Sequence, residues 1–233
     1  MIKNQLMNSL KKEGRTQLTE VEAKILLKEI GIPVVRTKLA YNKKEAISIS
    51  KEIGFPIVMK IVSPDITHKS DVGGVKLDLR NYTQVDKAYT EMMSTIKSKF
   101  PQARIEGVSI QRMAPPGVEV IIGMTKDPQF GSLLMFGLGG ILVELMKDVS
   151  FRIVPVGKKD AREMIEKLKG FPLLKGYRGR EPVDTPFLEE MIVRVSEFIE
   201  KSPELQELDI NPILAYGKGA IAVDARILLE PFS

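Results

Sequence analysis

The sequence predicts an α+β fold, and three observations carry that prediction. Helical and strand patterns alternate up to about residue 110, whereas hairpin patterns dominate afterwards; such a mixture fits α+β rather than a doubly wound parallel sheet. Hydrophobic residues make up 43% of the 233 positions, enough for a packed interior. That length suits one large domain or two associated lobes, each with its own core.

The elements follow in order. Residues 4–13 and 19–30 read as helices. In the second, Val21, Ile25, Leu26 and Ile30 form the expected apolar face, Thr19 with Glu22 three positions on makes an N-terminal cap, and Gly31 closes the helix. A strand is expected over 33–40, a helix over Lys43–Ile53 ending at Gly54, strands over Ile57–Val62 and Val75–Leu79, and a helix over 83–98. A strand over 105–113 runs into Pro115-Pro116-Gly117, and another follows over 118–124. Short apolar runs at 132–136 and 141–145 flank Gly137-Leu138-Gly139-Gly140, which reads as a hairpin loop. A short strand over 151–155 and a helix over 159–169 come next. The Gly- and Pro-rich stretch 170–186 is expected to be an ordered loop over a site or a mobile lid. A helix over 188–201 and two strands around Tyr216-Gly217-Lys218-Gly219 complete the chain.

Composition removes several function classes. Cys is absent, which excludes disulfides, thiolate metal sites and cysteine nucleophiles. No apolar run approaches the ~18–20 residues needed to cross a membrane. The N-terminus lacks the apolar stretch of a signal peptide, so a cytoplasmic protein is expected. The net charge of +5 comes from 35 basic and 30 acidic residues of interspersed sign. Such a surface tolerates small anionic ligands, but without Trp or a basic–aromatic stripe it does not suggest nucleic acid. Abundant Lys, Glu and Ile with no Cys fit thermophile usage.

Four constellations could carry chemistry. The single histidine, His68, stands in Pro64-Asp65-Ile66-Thr67-His68-Lys69-Ser70-Asp71-Val72-Gly73-Gly74. Imidazole can accept a phosphoryl group, and Gly73 and Gly74 allow backbone N–H groups to approach oxyanions; the competing reading is an idle loop histidine. Lys60 interrupts the apolar run Ile57-Val58-Met59-Lys60-Ile61-Val62. An unpaired buried ammonium is costly, so Lys60 either meets a phosphate or snorkels at an edge. Neither a Walker A loop nor a G-x-G-x-x-G fingerprint occurs. Gln111, Arg112 and Met113 end a strand that could offer backbone groups to an adenine edge, although locally a plain hairpin is the stronger explanation. In the C-terminal hairpin, a type II′ turn with Gly217 at its first central position sets Asn211 opposite Asp224 and Asp209 opposite Arg226. Asp209, Asn211, Asp224 and Arg226 then share one face, with Leu208, Ile210, Ile221, Val223 and Ile227 on the core face. Two carboxylates and an amide suit a hard cation such as Mg2+. The alternative is a polar outer face with an Asp209–Arg226 ion pair.

Taken together, Val58-Met59-Lys60, His68-Lys69-Ser70-Asp71-Val72-Gly73-Gly74-Val75, Gly117-Val118-Glu119-Val120, Phe136-Gly137-Leu138-Gly139-Gly140 through Glu144, Leu208-Asp209-Ile210-Asn211-Pro212 and Ala222-Val223-Asp224-Ala225-Arg226 resemble an ATP-grasp protein. More narrowly, they resemble the β subunit of ADP-forming acetyl-CoA synthetase, a relative of succinyl-CoA synthetase. The resemblance runs from about residue 15 to the end.

It implies an ATP-grasp fold with ATP or ADP between two α+β lobes. Lys60 would contact phosphates, residues 111–113 would hold adenine, and Glu119 would reach the ribose. Asp209, Asn211 and Asp224 would bind Mg2+, and His68 would be a phosphohistidine receiving phosphate from a histidine of an α subunit and passing it to ADP. The α subunit, carrying the CoA-binding domain, would complete an α2β2 heterotetramer. The implied organisation is a helical segment over 1–19 packed on the large lobe, a small lobe over 20–112 and a large lobe over 113–233. Glu144, Asp148 and Arg152 fall in family-like text without an assigned role, and Arg178 and Arg180 could bind anions or line a subunit contact. Two rival functions stay open: a stand-alone ATP-grasp carboxylate–amine ligase and a non-catalytic nucleotide-binding regulatory subunit. The acyl group is not legible, because its contacts would lie mostly in the absent subunit.

Overall fold

A computed structural model describes residues 2–66, 69–140, 147–179 and 181–232. His68, the expected 141–145 run with Glu144, and Arg180 lie outside the described residues. In chain order the elements are α1 (Ile2–Glu13), α2 (Glu20–Glu29), β1 (Thr37–Ala40), α3 (Lys43–Ile53), β2 (Ile57–Val62), β3 (Val75–Leu79), α4 (Tyr82–Lys99), β4 (Gly107–Arg112), β5 (Val118–Asp127), β6 (Gly131–Leu138), β7 (Val149–Ile153), α5 (Lys158–Glu166), α6 (Phe171–Leu174), α7 (Thr185–Glu200), β8 (Leu205–Ala215), β9 (Ala220–Ala222) and β10 (Arg226–Leu229).

The chain divides into two compact units, Val35–Pro115 and Met1–Val34 with Pro116–Ser233. The expected boundary after residue 19 therefore moves to Val34. The reason is packing: Ala23, Leu26, Leu27 and Ile32 join the same core as Val120, Phe136 and Ile210.

In the Val35–Pro115 unit, four antiparallel strands run in the order β1-β4-β2-β3. Alternation sends Ile57, Met59, Ile61, Val108 and Ile110 to a core shared with Ala46 of α3 and with Val85, Met92 and Ile96 of α4. Asn42 and Asn81 cap those two helices by accepting hydrogen bonds from the Glu45 and Gln84 N–H groups, which satisfies donors a helix start leaves unpaired.

In the other unit, six antiparallel strands run β10-β8-β5-β6-β7, with β9 also pairing with β8. The helical layer of α2, α5 and α7 supplies Leu26, Met164, Ile165, Met191, Ile192 and Val195 to the core beneath this sheet. The Thr19 capping box forms as expected: Glu22 N–H donates to Thr19 Oγ1 at 3.3 Å and Thr19 N–H to Glu22 Oε2 at 2.7 Å. The buried face of α2 differs from the expectation, however. Ile25 is exposed, and the buried positions are Ala23, Leu26 and Leu27 with a Glu20–Lys24 ion pair of 2.7 Å. A buried i,i+4 pair satisfies itself, so charge alone does not mark the solvent face.

Several expected elements change. Strand β1 begins at Thr37 rather than 33; Val34 instead makes an isolated bridge to Ala222. Gly137 and Leu138 belong to β6 rather than to a loop. In the described parts of the 170–186 stretch, 170–179 and 181–186, α6 forms, Val183 N–H donates to Leu174 O at 2.9 Å, and Asp184 N–H donates to Tyr216 O at 2.8 Å. Among the described residues no helix is long and apolar enough to cross a membrane.

Candidate functional site

Strand β8 organises the carboxylate cluster. It pairs with β10 through Arg226 opposite Asp209 and with β9 through Ile213 opposite Ala222. The same register continues between these ladders, where Val223 N–H donates to Pro212 O at 2.9 Å, so Asn211 faces Asp224 as expected. The turn differs: positive φ falls at Gly219 (+73°), not at Gly217, so this is not a type II′ turn. Gly219 also presents its N–H to Asp184 Oδ2 at 3.0 Å while Tyr216 N–H donates to Gly219 O at 3.0 Å. Asp184 thus ties the hairpin tip to the start of α7, where its Oδ1 accepts from Phe187 N–H at 3.1 Å.

On its other side, β8 pairs with β5 in a register that shifts between Val120 and Ile122, opposite Ile213 and Ile210. One extra residue therefore sits in β8 at Asn211-Pro212, a bulge. It reverses the alternation: Leu208 and Ile210 are buried before it, Ile213 and Ala215 after it. This is why Ile221 and Val223, expected in the core, are only half-buried, while Ala220 and Ala222 are buried.

Asp209 is half-buried, Asn211 exposed and Asp224 half-buried. Burial, then the nearby Glu207 and Asp224 carboxylates, push the Asp209 carboxyl up to about 6, with Arg226 opposing. Arg226 makes its ion pair with Glu207 at 3.6 Å, in place of the Asp209–Arg226 pair considered above. Asp224 Oδ1 accepts from Ala225 N–H at 2.8 Å. Among the described residues no three His, Asp or Glu side chains gather as a metal-binding group; the Asp209–Asn211–Asp224 set has two carboxylates and one amide. Burial together with the crowded carboxylates raises the Asp209 carboxyl, and such a set fits a hard divalent cation, which would relieve the repulsion.

In the Val35–Pro115 unit, Lys60 is 5% exposed and stands opposite Ser109 of β4 and Val75 of β3. It is not a snorkelling lysine. Gly73 and Gly74 follow the histidine segment, but their N–H groups donate within the turn, to Ser70 O at 3.2 Å and Lys69 O at 2.7 Å. A Cβ on Gly74 would lie 2.6 Å from Ile61 Cγ2, so close packing explains that glycine, and these two donors are not free for an oxyanion. Gln111 is buried, whereas Arg112 is exposed and its guanidinium Nη1 donates to Phe55 O. The Arg112 and Met113 N–H groups donate to Arg36 O and Pro56 O at 3.2 and 3.0 Å. An adenine edge at 111–113 would have to be read by carbonyls or by the Gln111 amide. In the larger unit, Glu119 is exposed, its carbonyl accepts from Gly139 N–H at 2.7 Å, and its carboxylate lies against Gly140.

Two residues of unassigned role prove architectural. Asp148, 7% exposed, accepts from Lys169 and Gly170 N–H groups at 2.9 and 2.7 Å. Arg152 pairs with Glu163 at 3.2 Å. Arg178 stacks on Tyr177, 5.3 Å from the ring centroid. Sequence reasoning missed Ser109, fully buried beside Lys60; the signal was available, since a serine alternates with apolar residues in Val108-Ser109-Ile110.

Residues 9–229 match the ATP-grasp domain family, which sets the class of the protein. Within that class the chain belongs with the β subunits of ADP-forming acetate–CoA ligases. It is 51% identical over 225 residues to the ADP-forming acetate–CoA ligase I subunit β of Pyrococcus furiosus, covering 97% of each chain. An acetyl-coenzyme A synthetase 1 of Ca. Korarchaeum cryptofilum, solved with coenzyme A, Ca-AMPCP and HgCl+, superposes with a TM-score of 0.94 at 49% identity, covering 97% of this chain and 99% of that one. A second structure of that synthetase, with coenzyme A and Mg-AMPPCP and a phosphohistidine segment pointing towards the nucleotide binding site, matches at a TM-score of 0.85 and 46% identity, covering 97% and 99%.

Proposed function

We propose that this chain is the nucleotide-binding subunit of an ADP-forming acyl-CoA synthetase and passes phosphate from His68 to ADP. The 51% identity across 97% of a subunit that works in that ligase is the observation that carries the reading. The net reaction converts acyl-CoA, ADP and phosphate to free acid, ATP and CoA. In this chain's step the N–P bond of phosphohistidine, protonated on its other ring nitrogen, breaks as a deprotonated oxygen of the ADP β-phosphate forms a new O–P bond, and the retained ring proton leaves His68 neutral. Such transfer depends on positioning and charge neutralisation. Lys60 supplies a cation for the phosphates, Glu119 is the ribose contact, and Gln111 with the 112–113 carbonyls is the adenine edge. Mg2+ held by Asp209, Asn211 and Asp224 would offset phosphate charge.

The CoA-binding α subunit is a separate partner in this reading, forming an α2β2 assembly in the cytoplasm. The name of the Pyrococcus relative, a subunit β, supports a partner chain. The test is to incubate this chain with an α subunit, acetyl-CoA, ADP and labelled phosphate. Acid-labile label on this chain, chased into ATP by ADP and lost in His68→Asn, is expected. Full acyl-CoA turnover by this chain alone would favour a stand-alone ligase. Nucleotide binding without any label would favour a regulatory subunit.

A further inference from the structure

The sheet of the Val35–Pro115 unit buries polar side chains on the face turned away from its apolar core. Val108 and Ile110 of β4, with Met59 and Ile61 of β2, fill that core. Alternation sends Ser109 and Gln111 of β4 and Lys60 of β2 to the other face, and they are 0%, 1% and 5% exposed. Lys60 and Ser109 are direct partners in the β2–β4 ladder. Paired residues of an antiparallel ladder hold their Cβ atoms ~5 Å apart, well within reach of a lysine side chain.

Ser109 is peculiar in one respect. Its Oγ is the buried side-chain polar atom that, among the described residues, lacks a hydrogen-bond partner. Leaving a buried hydroxyl unpaired is costly, and a strand position between two core residues would accept Ala or Val without that cost. The Ser109 hydroxyl therefore has its hydrogen-bonding capacity to offer a group on the same face. Lysine carries three N–H donors, so an ammonium can give to a phosphate and to a neighbouring hydroxyl at the same time.

We propose that Ser109 is a positioning residue for Lys60: its hydroxyl accepts one ammonium N–H when a nucleotide's phosphates engage Lys60, and so fixes the direction from which the ammonium meets them. The inference rests on the nucleotide reading of Lys60 given above. It assigns Ser109 no contact with the nucleotide; its effect passes through the lysine. The chemical class sensed is a nucleoside di- or triphosphate, and the base and ribose are indifferent to it.

The test is calorimetric titration of the full chain with ADP, ATP and adenosine for the parent, Ser109→Ala, Lys60→Ala and the double variant, with melting curves of each nucleotide-free chain. Ser109→Ala should weaken ADP and ATP about tenfold and leave adenosine unchanged. It should add nothing further in the Lys60→Ala background, because the two residues act as one unit. The melting temperature of nucleotide-free Ser109→Ala should match or exceed the parent's, since an unpaired hydroxyl has been removed. ADP binding equal to the parent's in Ser109→Ala, while Lys60→Ala loses it, would overturn the role of Ser109 and leave the nucleotide reading standing. A lowered melting temperature with equal losses for all three ligands would make Ser109 structural and overturn the inference. Failure of the parent to bind ADP would remove the nucleotide reading itself, and the inference with it.

Discussion

Asp209→Asn should stabilise the metal-free chain near neutral pH while impairing the phosphoryl transfer proposed above to use Mg2+. Burial and the Glu207 and Asp224 carboxylates raise the Asp209 carboxyl from 3.8 to about 6. At about 1.4 kcal/mol per pH unit, and allowing for partial exposure, the ionised group costs the folded chain on the order of 2 kcal/mol. The sign follows from proton counts. Between about pH 4 and 6 the folded chain holds a proton that the unfolded chain has released, so stability falls as pH rises through that window. Below it both states are protonated and the cost vanishes; above it the cost is full. Asparagine keeps the shape and removes the charge. In chelator at pH 7.5 the variant should melt about 4–8 °C above the parent, at ~2–4 °C per kcal/mol for a chain of this size, and the gap should close by pH 4. With an α subunit, acyl-CoA and saturating Mg2+ and ADP, the same variant should lose most turnover. A variant less stable than the parent by the same margin from pH 4 to 8 would refute the electrostatic argument, and unchanged turnover would refute the metal assignment.

Two further substitutions separate architecture from chemistry. Lys24→Ala removes the 2.7 Å partner of Glu20, a carboxylate that is 4% exposed, and breaking a buried pair costs about 3–5 kcal/mol; urea unfolding should show this, with a much smaller loss when Glu20 and Lys24 are replaced together by Leu and Met. Asp184→Ala removes both the α7 cap and the Gly219 anchor, for a loss of about 1–2 kcal/mol in the same assay.

Much of the fold was legible where local chemistry dominates. Thr19 with Glu22 announces a helix start through side chains that satisfy neighbouring N–H groups, and β2 declares itself by an apolar run of strand length. What failed were features set by distant partners. Ile25 looked buried because it continues an apolar spacing, yet α2 turns its Glu20–Lys24 pair inward instead. The division at Val34 was illegible because no composition change marks it; residues 20–34 join the larger unit through contacts with strands and helices a hundred or more residues away.

The same distinction explains the candidate site. Pairing outward from the hairpin tip gave the right partners, Asp209 with Arg226 and Asn211 with Asp224, although the turn itself was misjudged. A two-residue loop fixes the register by its length, whichever glycine carries the positive φ. Side-chain faces were another matter, because alternation holds only while the ladder is regular. The bulge at Asn211-Pro212 lets one strand bury Leu208 and Ile210, then Ile213 and Ala215, two sets that strict alternation would put on opposite faces. Its consequence is chemical as well as architectural. Without the extra residue, Asn211 would share the buried side of Ile213, and its amide could not stand exposed opposite Asp224. The interruption that defeated the sequence reading of Ile221 and Val223 thus gives the Asp209–Asn211–Asp224 set its access to solvent while both halves of β8 remain anchored in the core.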